Sequence, residues 1–347
     1  MPAVWLADAT AHGATAEREG SCRRAREQLV REHGLARTQS VITPKLTPAF
    51  DLSAGIHAGL GLYEIMRLRE ESENLGQHRY SDKIQFKTRL MRQGVPIPKI
   101  LYMSNRAPDV LNVLQSLGTE RYVAKPTHLA ATSFVFVMRD GINLLNGQTT
   151  SKEEVNAGLV QSWQDRHLDD WATESTPRGV IVEELIDPPQ REGSEDSTPD
   201  ELKCQTFFGE LFFCEWVYVA NMTTGEDGAE KFQDAFKAGD RAQPSLGHKA
   251  CGIPNFQWNG YVFRDGTCFG CEQRVPLSAK AWSKLVEMVE SVAEGTDHIR
   301  IDVFVTPNGE PVINEANISF LKISKFPAAL VEEMRRRWLD GYRMFYS

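Results

Sequence analysis

The chain has 347 residues, 41% of them apolar and 25% charged, with a net charge of −8 at pH 7. That is the composition of a globular protein with room for two or three layers around a sizeable core. The acidic balance argues against a nucleic-acid binder, and no apolar run approaches the length of about eighteen residues that a membrane span needs.

The N-terminus has no basic n-region and carries Asp8 early, so no secretory signal is read there and a cytoplasmic protein is expected. Its six cysteines are then expected as reduced thiols. His248 and Cys251, followed by Cys268 and Cys271, have a spacing that resembles a zinc ribbon. Cys251 lies in Cys-Gly-Ile-Pro, which reads as an insertion rather than a knuckle, so free thiols are preferred to zinc.

Residues 1–80 are the least informative. Helical patterning over 16–33 ends at Gly34, and residues 60–68 are apolar on one face, fit to pack on a neighbouring lobe. The sequence changes character at Tyr80. Residues 82–91 begin with a Ser or Asp cap and repeat apolar side chains at Ile84, Phe86, Leu90 and Met91, which predicts a helix closed by Gly94. Val95-Pro96-Ile97-Pro98 is an extended link into a strand over 99–103. A second helix over 110–117 leads through Gly118 to a strand over 122–126, completing an α/β lobe.

After Lys125-Pro126, residues 127–133 are small and hydroxylated and lie between two strands. The backbone N–H groups and hydroxyls of such a loop, Ser133 included, can donate to phosphate oxygens. A tight surface hairpin is the other reading. Trp163 and Trp171 sit on polar helical sequence as packing anchors. A buried strand over 180–186 runs into Glu183 and Glu184, and the acidic stretch 187–199 reads as an exposed loop. Residues 201–213 alternate about a turn at Gly209, which puts Glu201 and Lys203 on one face. Residues 279–294 form an amphipathic helix. The basic run 335–337, flanked by Glu332, Glu333 and Asp340, reads as a solvated helix face.

Residues 297–317 are two β-branched runs joined by Pro307, Asn308 and Gly309, a strong hairpin signal. With a two-residue Asn-Gly loop, Asp302 faces Glu315 and Arg300 faces Asn317, and all four share one side; were the turn longer by a residue, Glu315 and Asn317 would still share a face. Val303, Val305, Val312 and Asn314 fall on the other. Two carboxylates directly across a strand pair lie roughly 5 Å apart and repel. A hard divalent cation held by Asp302, Glu315 and the Asn317 carbonyl would remove that repulsion. A solvated edge hairpin is the alternative; the pairing favours a metal site.

Asp82-Lys83, Tyr122-Val123-Ala124-Lys125-Pro126, Ile181-Val182-Glu183-Glu184-Leu185-Ile186, Glu201-Leu202-Lys203 and Arg300-Ile301-Asp302 with Asn314-Glu315-Ala316-Asn317 occur in this order. Their order and spacing resemble the ATP-grasp superfamily over roughly residues 80–326, closest in cadence to the D-alanine–D-alanine ligase type and the teichuronopeptide-biosynthesis-like branch. The resemblance implies an α+β ATP-grasp fold, two lobes over 81–187 and 188–347 clamping ATP, with residues 1–80 as a helical or mixed extension.

The resemblance further implies Lys83 and Lys125 on the α- and β-phosphates and Ser133 in the phosphate flap. Glu183 and Glu184, with the backbone of Leu185 and Ile186, would hold the adenine edge. Glu201 would hold the ribose, and Lys203 would reach the phosphates. Asp302, Glu315 and Asn317 would bind two Mg²⁺, with Mn²⁺ as a substitute, and Arg300 would stabilise charge on the transferred phosphoryl or the oxyanion that follows. The activity implied is an ATP-dependent carboxylate–amine ligase working through an acylphosphate, its partners a small carboxylate and an amine. A homodimer is compatible with it. A small-molecule kinase and a non-catalytic nucleotide-binding protein are the alternatives. Two features depart from the pattern: the flap lacks glycines, and Asn317 is not followed by a Pro-Gly turn. Ser319, Lys322 and Lys325 in that position could bind a substrate carboxylate or be surface residues.

Overall fold

In a computed structural model, twelve strands among the described residues form two six-stranded antiparallel sheets. The structure describes residues 61–71, 80–129, 134–164, 176–188, 199–219, 256–269, 277–318 and 326–346, all inside the unit spanning 46–347. The first sheet contains β1 (Ile100–Ser104), β2 (Arg121–Pro126), β3 (Phe136–Arg139), β4 (Ile142–Asn143), β5 (Gln148–Thr149) and β6 (Val180–Glu184), in the order β1-β6-β2-β3-β4-β5. The second contains β7 (Asp200–Phe207), β8 (Glu210–Val219), β9 (Phe256–Phe263), β10 (Cys268–Phe269), β11 (His298–Val305) and β12 (Pro311–Asn317), in the order β10-β9-β8-β7-β11-β12. The helices are α1 (Leu62–Glu71), α2 (Lys83–Gln93), α3 (Leu111–Ser116), α4 (Lys152–Ser162), α5 (Ala279–Ala293) and α6 (Ala328–Tyr346). This mixed helix and antiparallel-sheet content is the α+β class expected. Among the described residues no helix is long and apolar enough to cross a membrane.

α2 forms for the local reasons its sequence suggests. The Asp82 side chain accepts from the backbone N–H groups of Ile84 (3.0 Å) and Gln85 (3.1 Å), and Gly94, at φ 67°, closes the other end. Phe86 and Leu90 on one face enter the largest apolar cluster, formed by the inner face of the second sheet and α5. The link after α2 then runs along the edge of β12, where Ile313 N–H donates to Pro96 C=O at 2.9 Å. α3 and α4 cover one face of the first sheet through Leu114, Val155, Leu159, Tyr122 and Val182. α1 and α6 build a third cluster around Phe207, Phe212, Phe213 and Trp338. The basic run of α6 is satisfied within the helix, by Glu332, Glu333 and Asp340.

The 297–317 hairpin has the expected pairing by an unexpected route. Thr306 C=O accepts from Gly309 N–H (2.9 Å) and Thr306 N–H donates to Glu310 C=O (3.0 Å), with Gly309 at φ 73°. The loop is therefore Pro307-Asn308-Gly309, one residue longer than assumed, with glycine in the left-handed position. This pairs Val305 with Pro311, Phe304 with Val312 and Val303 with Ile313. A bulge between Asp302 and Val303 then restores the register, so Asp302 faces Glu315 and Arg300 faces Asn317 as expected. Val312 and Asn314 depart from the expected face, that of Val303 and Val305. Val312 instead pairs with Phe304, and Asn314 is the extra residue of the bulge.

The cysteines correct a second expectation. Cys204 and Cys214 face each other on β7 and β8 and are joined by a disulfide in the second sheet's core. Cys268 is also disulfide-bonded. Reduced thiols are not what the chain holds at these positions, and an oxidised Cys268 is no zinc thiolate. His248, Cys251 and Cys271 lie outside the described residues.

Candidate functional site

The site is built where the outer face of the second sheet meets α2 and the first sheet. Alternation on β11 turns Arg300 and Asp302 away from Ile299, Ile301 and Val303, which are buried in the core. On β7, Lys203 lies directly opposite Asp302, and Glu201 is two residues along on the same face. On β2 and β6 the same alternation separates Lys125 and Glu183 from Tyr122, Ala124, Val180 and Val182, which pack under α3 and α4. α2 supplies Lys83 and Lys87, one turn apart on one face.

Asp302 is fully buried and gripped by Arg300, whose Nε and Nη2 donate to its two oxygens at 2.7 and 2.8 Å. Lys203 Nζ stands 3.7 Å from Asp302 and 2.7 Å from Glu201. Glu315 meets Lys83 at 3.8 Å, and Lys83 also donates to Leu129 C=O at 3.0 Å. The carboxylates of Asp302 and Glu315 thus have protein cations of their own, and charge balance between them does not require a metal. Burial works against the charge on Glu315, yet Lys83, Lys125, Arg300 and Lys203 outweigh it and pull its carboxyl down to about 2. Burial likewise opposes the charge on Lys203, but Glu201 and Asp302 hold its ammonium above the usual lysine range. Glu201 itself is pushed up by burial and by Asp302, against the pull of Lys203.

On the first sheet, Glu183 is buried between two lysines. Its Oε1 lies 2.7 Å from Lys87 Nζ, close but without hydrogen-bond alignment, and its Oε2 lies 2.9 Å from Lys125 Nζ. Burial opposes ionisation of Glu183, and Lys125 and Lys87 overcome it. Burial also dominates Lys87, lowering its ammonium to about 8 despite Glu183, with Lys125 adding to the fall. For Lys125 the balance goes the other way: Glu183 and Glu315 raise it against burial. Lys125 then crosses between the sheets and donates to Asn314 Oδ1 at 3.3 Å. The bulge makes this contact possible, by setting Asn314 as well as Glu315 opposite Asp302.

The structure therefore brings together Lys83, Lys125, Glu183, Glu201, Lys203, Arg300, Asp302 and Glu315, with Asn317 beside them on β12. Glu184 is exposed at the end of β6, its N–H donating to Lys99 C=O at 2.9 Å, and Leu185 and Ile186 follow directly. Ser133, Ser319, Lys322 and Lys325 lie outside the described residues. Lys87 and Asn314 were missed. Lys87 carried a signal, since it stands four residues after Lys83 on the same helix face; the bulge that redirects Asn314 carried none.

Among the described residues no three His, Cys, Asp or Glu side chains converge into a metal-holding group. Asp302, Glu315 and Asn317 offer hard oxygen donors, with Asp302 shared with Arg300. Such a set fits a Mg²⁺ or Mn²⁺ whose shell is completed by phosphate oxygens, rather than an all-protein cage. If all are ionised, Lys83, Lys87, Lys125, Lys203 and Arg300 exceed Glu183, Glu201, Asp302 and Glu315 by one positive charge. A cluster with cations in excess, at the meeting of two sheets, is chemistry for an anionic ligand.

No family model matches the chain, and no curated protein sequence matches it. Solved structures do. D-alanine–D-alanine ligase from Bacillus anthracis aligns at 14% identity and a TM-score of 0.42, over 77% of this chain and 68% of that one. VanG D-Ala:D-Ser ligase from Enterococcus faecalis aligns at 16% identity and a TM-score of 0.44, over 77% of this chain and 62% of that one. D-cycloserine synthetase DcsG aligns at 13% identity and a TM-score of 0.43, over 80% and 77%. At these scores the likeness carries no weight on its own.

Proposed function

We propose that the chain is an ATP-dependent ligase joining a small carboxylate to an amine, with ADP and phosphate as by-products. The observation that supports it most is the cluster of Lys83, Lys125, Lys203 and Arg300 interleaved with Asp302 and Glu315, drawn from α2 and both sheets. No side-chain nucleophile is needed. A carboxylate oxygen attacks the γ-phosphorus, the bond to ADP breaks, and an acylphosphate results. The amine then attacks the acyl carbon, expels phosphate and gives up a proton to leave the amide. Phosphorylation is what makes the carboxylate oxygen a leaving group.

In this reading Lys83 and Lys125 neutralise the phosphates, and Lys203, held charged by Glu201 and Asp302, meets the developing charge on ADP. Arg300, fixed by Asp302, would stabilise the charge on the transferred phosphoryl group. Asp302, Glu315 and Asn317 would hold Mg²⁺ or Mn²⁺, which supplies further charge neutralisation at the phosphate oxygens. Glu201, paired with Lys203, would accept from a ribose hydroxyl. Both oxygens of Glu183 face lysines, Oε1 toward Lys87 and Oε2 toward Lys125, so in this reading it serves the phosphate end, by orienting Lys125, rather than the adenine edge.

The test is release of ADP and phosphate from Mg-ATP by the purified protein, screened against pools of small carboxylates with and without amines. Equal ADP and phosphate requiring both substrates supports the ligase. ADP without free phosphate would instead identify a kinase, and failure to bind nucleotide would overturn both.

A further inference from the structure

We infer that Lys87 is a positioning residue for nucleotide binding: through the Glu183 carboxylate it fixes Lys125 in the orientation that meets a phosphate. This rests on the nucleotide reading above and adds to it a residue that touches no ligand.

Exposure rises along the chain of contacts, from 0% for the Lys87 side chain to 3% for Glu183 and 8% for Lys125. Lys87 is thus the member sealed in the protein and Lys125 the member nearest the site. Burying an ammonium costs several kcal/mol after relaxation, and a methionine of similar length would fill the same space without that cost. What the charge adds is a hold on Glu183. With one oxygen drawn to Lys87 and the other to Lys125, the carboxylate cannot rotate without losing a partner. Lysine has four rotatable side-chain bonds and three donors. Glu183 and Asn314 take two donor directions on Lys125, one from each sheet, and the third is left for a ligand oxygen. An ammonium held at two points is ordered before the phosphate arrives, which lowers the entropic cost of binding.

A purely structural role for Lys87 predicts something different: its loss would lower stability and leave nucleotide affinity alone. The experiment is calorimetric titration of Mg-ATP into wild type, Lys87→Met, Glu183→Gln and the double variant, with thermal unfolding midpoints recorded separately. Each single change is expected to weaken ATP binding by about tenfold or more, and the double to be no weaker than the weaker single, because both act through one carboxylate. A folded Lys87→Met that binds ATP like wild type overturns the inference, as do additive effects. Where Lys87→Met does not fold, Lys87→Gln keeps a donor for Glu183 without the charge; it is expected to bind at least about threefold more weakly, and wild-type affinity in it is equally fatal. Lys125→Met separates the two levels. If it loses binding while Lys87→Met keeps it, only the positioning inference falls; if wild type binds no ATP, the nucleotide reading falls and the inference with it.

Discussion

Asp302 faces Glu315 across β11 and β12, yet each carboxylate answers to a different cation, Asp302 to Arg300 at 2.7 Å and Glu315 to Lys83 at 3.8 Å. The pair whose repulsion favours a metal is neutralised from opposite ends of the site. One cation comes from the neighbouring position on the same strand face and the other from α2.

Asp302→Asn should separate stability from chemistry. It leaves the half-buried Arg300 without its bidentate partner, which is expected to cost about 2–3 kcal/mol in urea unfolding. Turnover of ATP with substrate should fall by about a hundredfold or more, because Arg300 is no longer aimed. An active, equally stable variant would remove Asp302 from the site.

Glu315 sets an acid limit. Its carboxyl, near 2 in the folded protein, lies below the unfolded value of about 4.3, so the native state holds its proton less tightly. The stability this contributes is present above about pH 4.3 and is lost as pH falls toward 2. Since 30% of the side chain is exposed, solvent screening reduces the contribution to about 1–2 kcal/mol. Glu315→Gln should flatten that part of the stability–pH curve, measured by denaturant unfolding between pH 5 and 3.

Lys87 sets the opposite slope. Its ammonium, near 8 when folded, lies below the unfolded value of about 10.4, so between those values the unfolded chain binds the extra proton. Stability should therefore rise with pH across roughly pH 8 to 10, by up to about 2–3 kcal/mol. Lys125 and Lys203 are shifted upward and begin to count only above that window. Lys87→Met should remove the rise; a slope that persists in the variant would assign it to another group.

The Cys204–Cys214 bridge, at a sequence separation of 10, closes a short loop. By loop-closure entropy it should contribute about 2–3 kcal/mol. Reduction under denaturing conditions, or the double change Cys204→Ala and Cys214→Ala, should lower the urea midpoint by a matching amount. An unchanged midpoint after verified reduction would count against that contribution.

What was legible in the sequence was local or periodic. The Asp82 cap, the Gly94 stop, the Gly209 turn and the pairing of Asp302 with Glu315 all follow from spacing and turn chemistry. What escaped were bulges and long-range burial. Pro-Asn-Gly suits a two-residue or a three-residue loop, and only the bulge at Asn314 made the wrong loop yield the right partners. A second bulge, between Gln205 and Thr206, shifts β8 so that Cys214 rather than Phe213 faces Cys204. No local pattern announces either. Lys87 shares a helix face with Lys83, but its burial depends on β6, which the chain reaches only much later.

α2 belongs to both sheets. Phe86 and Leu90 are anchored in the core of the second, while Lys87 is locked into the ion cluster of the first. Loosening either sheet would therefore pull apart contacts of the other, and the two are expected to melt as one cooperative unit rather than in sequence. A fragment cut between β6 and β7 would keep the helix but strip the cover from Phe86 and Leu90, so neither half is built to survive alone.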